Sequence, residues 1–140
     1  MVKVNARSIC ISIAVVVCST SACWGQKKNQ ALIDSIADYL CKSPIVHKEI
    51  VMRQAILESG WFASDFLMSR NNLFGFRYKE YLRFESWQNS IDYYAQWQQK
   101  RYKDMNEDYY VFLKRIRYGS ASYPDAVKRI SYTLKCPCTE

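Results

Sequence analysis

Gln54-Ala55-Ile56-Leu57-Glu58-Ser59-Gly60-Trp61, followed at a short interval by Asn71-Asn72-Leu73-Phe74-Gly75, sets one carboxylate at the end of an apolar helix and a glycine-closed loop beyond it. A helix C-terminus carries partial negative charge and apolar surroundings disfavour an ionised carboxylate, so both raise the pKa of an acid held there. Glu58 follows Val51 by seven residues and Ala55 by three, which turns it toward the interior side of its helix. An inward charge without partners costs several kcal/mol. Two uses fit such a residue: a proton donor, or a structural glutamate paired with Arg53, Arg70 or Arg77.

Working outward, apolar periodicity predicts a mostly helical chain. Leu32, Ile33, Ile36, Ala37 and Leu40 recur at helical spacing within residues 29–42. Ser43 is expected to cap the next helix, with Pro44 at its first position, where a missing N–H costs nothing, and Gly60 ending it. A short helix is expected from Ser64 to Arg70, broken by Asn71-Asn72. Residues 73–84 alternate Phe74, Phe76, Tyr78 and then Tyr81, Leu82, Phe84 around Lys79-Glu80, a pattern compatible with a minimal hairpin. Ser86 opens a long helix to about Tyr102, and another spans Asn106 to Tyr118 and stops at Gly119. The last begins at Ser122-Tyr123-Pro124-Asp125, which has the form of a capping box, and carries Val127, Ile130 and Leu134 inward.

Lys3 and Arg7 precede an apolar run from Ile9 to Cys18, interrupted only by Ser12. That run is shorter than the roughly 20 residues of a membrane span and matches the h-region of an export signal. Residues 1–25 are therefore expected to be removed, either before Cys23, which would then carry a lipid, or after Gly25. Residues 26–140 suffice for one domain. Of the six cysteines, Cys41, Cys136 and Cys138 lie beyond the signal, and in an oxidising compartment Cys41 can pair with either of the others. The formal net charge of +7 includes Lys3 and Arg7, which leaves about +5 on residues 26–140. Such a balance suits a polyanionic envelope or simply a solvated surface. Aromatic residues at helical periods, together with an export signal, argue against nucleic acid as a partner. Cys136-Pro137-Cys138 lacks metal-ligand spacing and the lone His47 lies far from it, so neither metal nor cofactor is expected.

The ordered set Gln54-Ala55-Ile56-Leu57-Glu58-Ser59-Gly60-Trp61, Asn71-Asn72-Leu73-Phe74-Gly75-Phe76, Phe84-Glu85-Ser86-Trp87 and Arg117-Tyr118-Gly119-Ser120-Ala121-Ser122-Tyr123 resembles the glucosaminidase domain of glycoside hydrolase family 73. The resemblance implies a mainly α, lysozyme-like helical domain with a minimal β-hairpin lobe. It also implies cleavage of the β-1,4 bond between N-acetylglucosamine and N-acetylmuramic acid in peptidoglycan, with Glu58 as general acid. By the same resemblance Glu80 is the nearest match to a second carboxylate, with Glu85 more suited to capping, and Tyr118 holds substrate or water beside the acid. Asn72 and Phe74 are expected in the sugar groove, Phe74 alternatively in the core, with Tyr123 a further substrate contact. The implied partner is the glycan strand itself, at the periplasm or cell envelope, with membrane attachment only through a lipidated Cys23. Two other readings share these residues: a lytic transglycosylase, and a cell-wall glycan-binding module without turnover.

Overall fold

The computed structural model describes residues 29–137. The expected export signal with Cys23, and Cys138, lie outside the described residues. Among the described residues six helices follow one another: α1 Gln30–Lys42, α2 Lys48–Ser59, α3 Asp65–Met68, α4 Trp87–Arg101, α5 Tyr109–Arg115 and α6 Tyr123–Lys128. None of them is long and apolar enough to cross a membrane.

The domain is built around α2. Val51, Met52, Gln54, Ala55, Ile56 and Ser59 are all buried, so this helix is enclosed on most of its circumference rather than along one stripe. It packs on α1 and α6, while α5 packs on α6 and α1 on α4. Helix α1 runs as its periodicity predicts, capped by the Asn29 side chain, which accepts from the Leu32 N–H at 3.2 Å, and burying Ile33, Ile36 and Leu40.

Ser43 closes α1 instead of opening α2: its hydroxyl donates to the Leu40 carbonyl at 2.7 Å. Pro44 is therefore not the first residue of α2, which starts four residues later behind His47 in the left-handed region. Tertiary contacts explain the delay. Ile45 is buried, and Val46 donates its N–H to Gln98 Oε1 at 2.9 Å while its carbonyl accepts from Gln98 Nε2 at 3.0 Å. The His47 ring stacks on Tyr109. A helix begun at Pro44 would forfeit all three.

Ser64 caps α3 as expected, accepting from the Leu67 N–H. A capping box forms at Ser86, with Asn89 as its reciprocal partner. The one expected at Ser122 does not form, since Ser122 makes no side-chain cap bond. Asp108 starts α5, its carboxylate accepting from the Tyr110 and Val111 N–H groups. The hairpin is reduced to one antiparallel bridge, Arg77 to Tyr81, with Tyr78 N–H donating to Glu80 O and Leu82 N–H to Phe76 O.

Helix α6 ends at Lys128, well short of the expected Leu134. The chain beyond is drawn out along α1 and α2. Arg53 Nε donates to Tyr132 O at 3.0 Å, Leu134 N–H donates to Glu49 Oε2 at 3.4 Å, and a Cys41–Cys136 disulfide, with Cα atoms 5.4 Å apart, fastens the end. These long-range anchors override the helical pattern of Val127, Ile130 and Leu134.

The disulfide joins residues 95 apart, so it restricts nearly the whole unfolded domain. Replacing Cys41 and Cys136 together by Ser is expected to cost about 2–4 kcal/mol and to lower the thermal midpoint by roughly 10 °C or more. Calorimetry of oxidised, reduced and double-variant protein checks this, and a reduced form melting with the oxidised one would contradict it.

Candidate active site

Glu58 occupies the next-to-last position of α2 and stands half-buried on the wall of an open cleft of about 600 Å³. Burial raises its pKa above the ordinary carboxylate range, and the facing Tyr123 phenol, a donor to the charged form, pulls it partly back. Immediately after it the backbone turns sharply: Gly60, Trp61 and Phe62 all take left-handed φ, and the Ser59 carbonyl accepts from Ala63 and Ser64 N–H. The end of the helix, and with it Glu58, is thereby pinned.

Opposite Glu58 stands the loop 71–82, which is organised from within by Asn72. That residue is fully buried; its Nδ2 donates to Phe76 O at 2.8 Å and Leu82 O at 3.0 Å, and its Oδ1 accepts from Phe76 N–H at 3.0 Å. All of its amide is spent on backbone, so Asn72 shapes the loop rather than meeting a sugar as expected. Phe74 is likewise buried, its ring 4.5 Å from that of Tyr94, which is the core alternative; it offers the site its carbonyl, which accepts from Tyr118 Oη at 3.0 Å. Gly75 brings the loop onto the acid. At φ +66° a Cβ there would lie 2.8 Å from Glu58 Oε2, so both the conformation and the close approach require glycine.

Behind Glu58 runs a buried polar chain. Gln98 Nε2 donates to Tyr109 Oη at 2.8 Å, and Tyr109 and Tyr94 hydroxyls are 2.7 Å apart. Tyr94 Oη donates to Gln54 Oε1 at 2.7 Å, and Gln54 Nε2 donates to Tyr123 Oη at 3.3 Å. Because Tyr94 has given its proton to Gln54, Tyr109 must be the donor in the Tyr109–Tyr94 pair. Every bond then points the same way, and Tyr123 is left to donate toward Glu58. Burial raises the pKa of Tyr94, Tyr123 and Tyr118, and that of Tyr109 to about 12, so all four phenols keep their protons at neutral pH. Tyr123 thus lies behind the acid, outside the cleft lining, and not at the substrate face where it was expected. The backbone of Gly119 rests on its ring, where a Cβ would come within 2.6 Å.

Tyr118 does line the cleft, its ring 5.2 Å from Tyr123 and its phenol pKa raised in part by the Glu58 charge. Glu80 does not share this cleft. It is exposed and lines a neighbouring one with Phe66, Arg70, Lys79 and Arg83, while Tyr81 belongs to the wall of both. Glu58 is the one carboxylate among the described residues that line its cleft. Sequence reasoning missed Phe76, Trp97 and three arginines, Arg77, Arg101 and Arg117, in the same lining. Trp97 and Arg101 lie four apart on α4 and could have been read as one helix face.

A buried-side carboxylic acid at a helix end, covered by a glycine loop and opening on an aromatic-walled cleft in a helical domain, is the arrangement of a lysozyme-like glycosidase. The family model described as Glucosaminidase, mannosyl-glycoprotein endo-beta-N-acetylglucosaminidase, matches residues 34–135, and the chain belongs to that family. It is thus a mainly α member of a group of glycoside hydrolases that act on glycans. No curated protein and no solved structure is found to match it.

Two outcomes test this geometry. Gly75→Ala is expected to cost about 1–2 kcal/mol of stability through the left-handed backbone, yet to lower turnover about a hundredfold by pushing the carboxylate aside; activity that falls only in step with the folded fraction would contradict it. Glu58, with its folded pKa raised, stays protonated when the unfolded chain has already ionised. Its contribution to stability is therefore fully present below the ordinary carboxylate range and lost as pH rises through its own pKa. Glu58→Gln should consequently melt above wild type at pH 7, with the gap closing on acidification, as followed by thermal denaturation across that range.

Proposed function

We propose that the protein is an exported peptidoglycan hydrolase, an endo-β-N-acetylglucosaminidase that cleaves the β-1,4 bond after N-acetylglucosamine with Glu58 as general acid. The observation that carries the reading is Glu58 itself: its pKa raised by burial, lining an open cleft and pressed by Gly75. A protonated Glu58 gives its proton to the leaving O4 as the glycosidic bond breaks, and the N-acetylglucosaminyl carbon becomes oxocarbenium-like. Water adds its oxygen to that carbon and its remaining proton returns to Glu58. Trp97 and Phe76 supply ring faces against which a pyranose can pack, and Tyr118 orients groups beside the acid. The lone carboxylate favours a nucleophile from outside the protein: solvent, or the acetamido oxygen of the substrate.

That same lone carboxylate supports one alternative, a lytic transglycosylase, in which an intramolecular hydroxyl of the substrate takes the place of water. Product analysis separates them. Full-length processed protein is expected to release reducing N-acetylglucosamine ends from purified peptidoglycan, whereas anhydromuramic ends in the mass spectrum would establish the transglycosylase. Glu58→Gln should lower release by about a hundredfold or more while the fold persists. An active Glu58→Gln protein would sink both enzymatic readings, and binding to cell wall without any product from wild type would leave a glycan-binding module.

A further inference from the structure

Arg129 apart, the arginines among the described residues fall into two groups. Arg53 pairs with Glu49 and the Tyr132 carbonyl, Arg115 with Glu107, Arg83 with the Ser69 carbonyl, and Arg70 with the Phe66 carbonyl and ring. The guanidinium groups of Arg77, Arg101 and Arg117 make no hydrogen bond or ion pair to a carboxylate or carbonyl among the described residues, Arg77 lying only over the Tyr81 ring at 5.8 Å from its centroid, and all three line the Glu58 cleft. All three are exposed. They come from separate places: the bridge at the base of the 71–82 loop, the last residue of α4, and the turn after α5.

Arg117 adds an independent sign. The Tyr118 N–H returns to the Leu113 carbonyl at 3.1 Å, which closes α5 with the residue after its cap in the left-handed region, a position usually given to glycine. Arg117 takes it at φ +54°, so a guanidinium is kept where the backbone favours its absence. The acid meanwhile is governed by burial and by Tyr123, not by these cations. Exposed on the lining of the cleft, they stand where charged groups of a bound strand can meet them.

We propose that the cleft selects an anionic glycan, with Arg77, Arg101 and Arg117 receiving carboxylates carried by the muramic acid residues, one directly beyond the cleaved bond and one beyond the N-acetylglucosamine on its other side; this rests on the reading of the cleft as a glycan site. Guanidinium groups suit carboxylates because they offer paired donors and cannot lose their charge. In a cell-wall strand such carboxylates have two sources: the lactyl group of muramic acid where no peptide is attached, and the peptide stem where one is.

The test uses the processed chain carrying Glu58→Gln, so that ligand persists, and isothermal titration calorimetry. The ligands are peptide-free strands, peptide-bearing strands, each of these after carbodiimide-driven methylamidation, and a neutral β-1,4-linked N-acetylglucosamine oligomer. Arg77→Gln/Arg101→Gln/Arg117→Gln is expected to weaken binding of unmodified strands about tenfold. Methylamidation should reproduce that loss in the parent, added salt should diminish the difference, and affinity for the neutral oligomer should not change, which also reports that the triple variant is folded. Loss on amidating peptide-free strands identifies the lactyl carboxylate, and loss confined to peptide-bearing strands identifies the stem. Equal affinity for amidated and unmodified strands, or an unaltered triple variant, overturns the arginine role while the glycan reading stands. No binding to any glycan, neutral or charged, overturns both.

Discussion

The partial burial of the Glu58 carboxyl is the constraint on which this site depends, and much of the surrounding structure answers it. Burial alone raises the pKa, but a protonated acid with nothing holding its orientation would be of little use as a donor. Orientation comes from two sides. Gly75 closes from the loop side so tightly that no other residue leaves the carboxylate where it is, and Tyr123 meets it from the core. Tyr123 in turn is placed by Gln54 and by the bare backbone of Gly119.

The polar chain behind Tyr123 extends this placement across the whole domain. It begins at the Val46 peptide, between α1 and α2, and passes through Gln98 of α4, Tyr109 of α5, Tyr94 of α4 and Gln54 of α2 before reaching α6. Inside a low-dielectric core each of these groups would be expensive if left unpaired, and among the described residues no buried side-chain nitrogen or oxygen lacks a partner. Four helices are therefore held in one arrangement by the same bonds that set the donor direction at the acid. The disulfide and the drawn-out C-terminal segment add further ties, holding α1 and α2 against the tail.

The loop 71–82 shows how little β structure this site needs. A single bridge and one buried asparagine replace a lobe, and the economy has a chemical consequence: Glu80 is carried to another cleft and the wall near Glu58 is furnished with arginine and aromatic rings. The loop does not bring its own carboxylate, Glu80, to the cleft of the acid. What it presents instead is its glycine.

Local physics in the sequence was enough for the helices with strong caps and regular apolar spacing, for the inward face of Glu58, and for a glycine beyond it, because those depend on residues within a few positions of one another. The motif order likewise sufficed for the family. Tertiary structure alone decided the rest. Residues 43–47 and 130–137 left their helical patterns for Gln98, Arg53, Glu49 and Cys41, partners some 50 to 95 positions away. Asn72, Phe74 and Tyr123 proved to support the acid from within, since burial is settled by what packs over a residue and not by its type. The separation of Glu80 from Glu58, and the gathering of Arg77, Arg101 and Arg117 around it, were equally beyond sequence: which side chains share a cleft depends on how distant segments are folded onto each other.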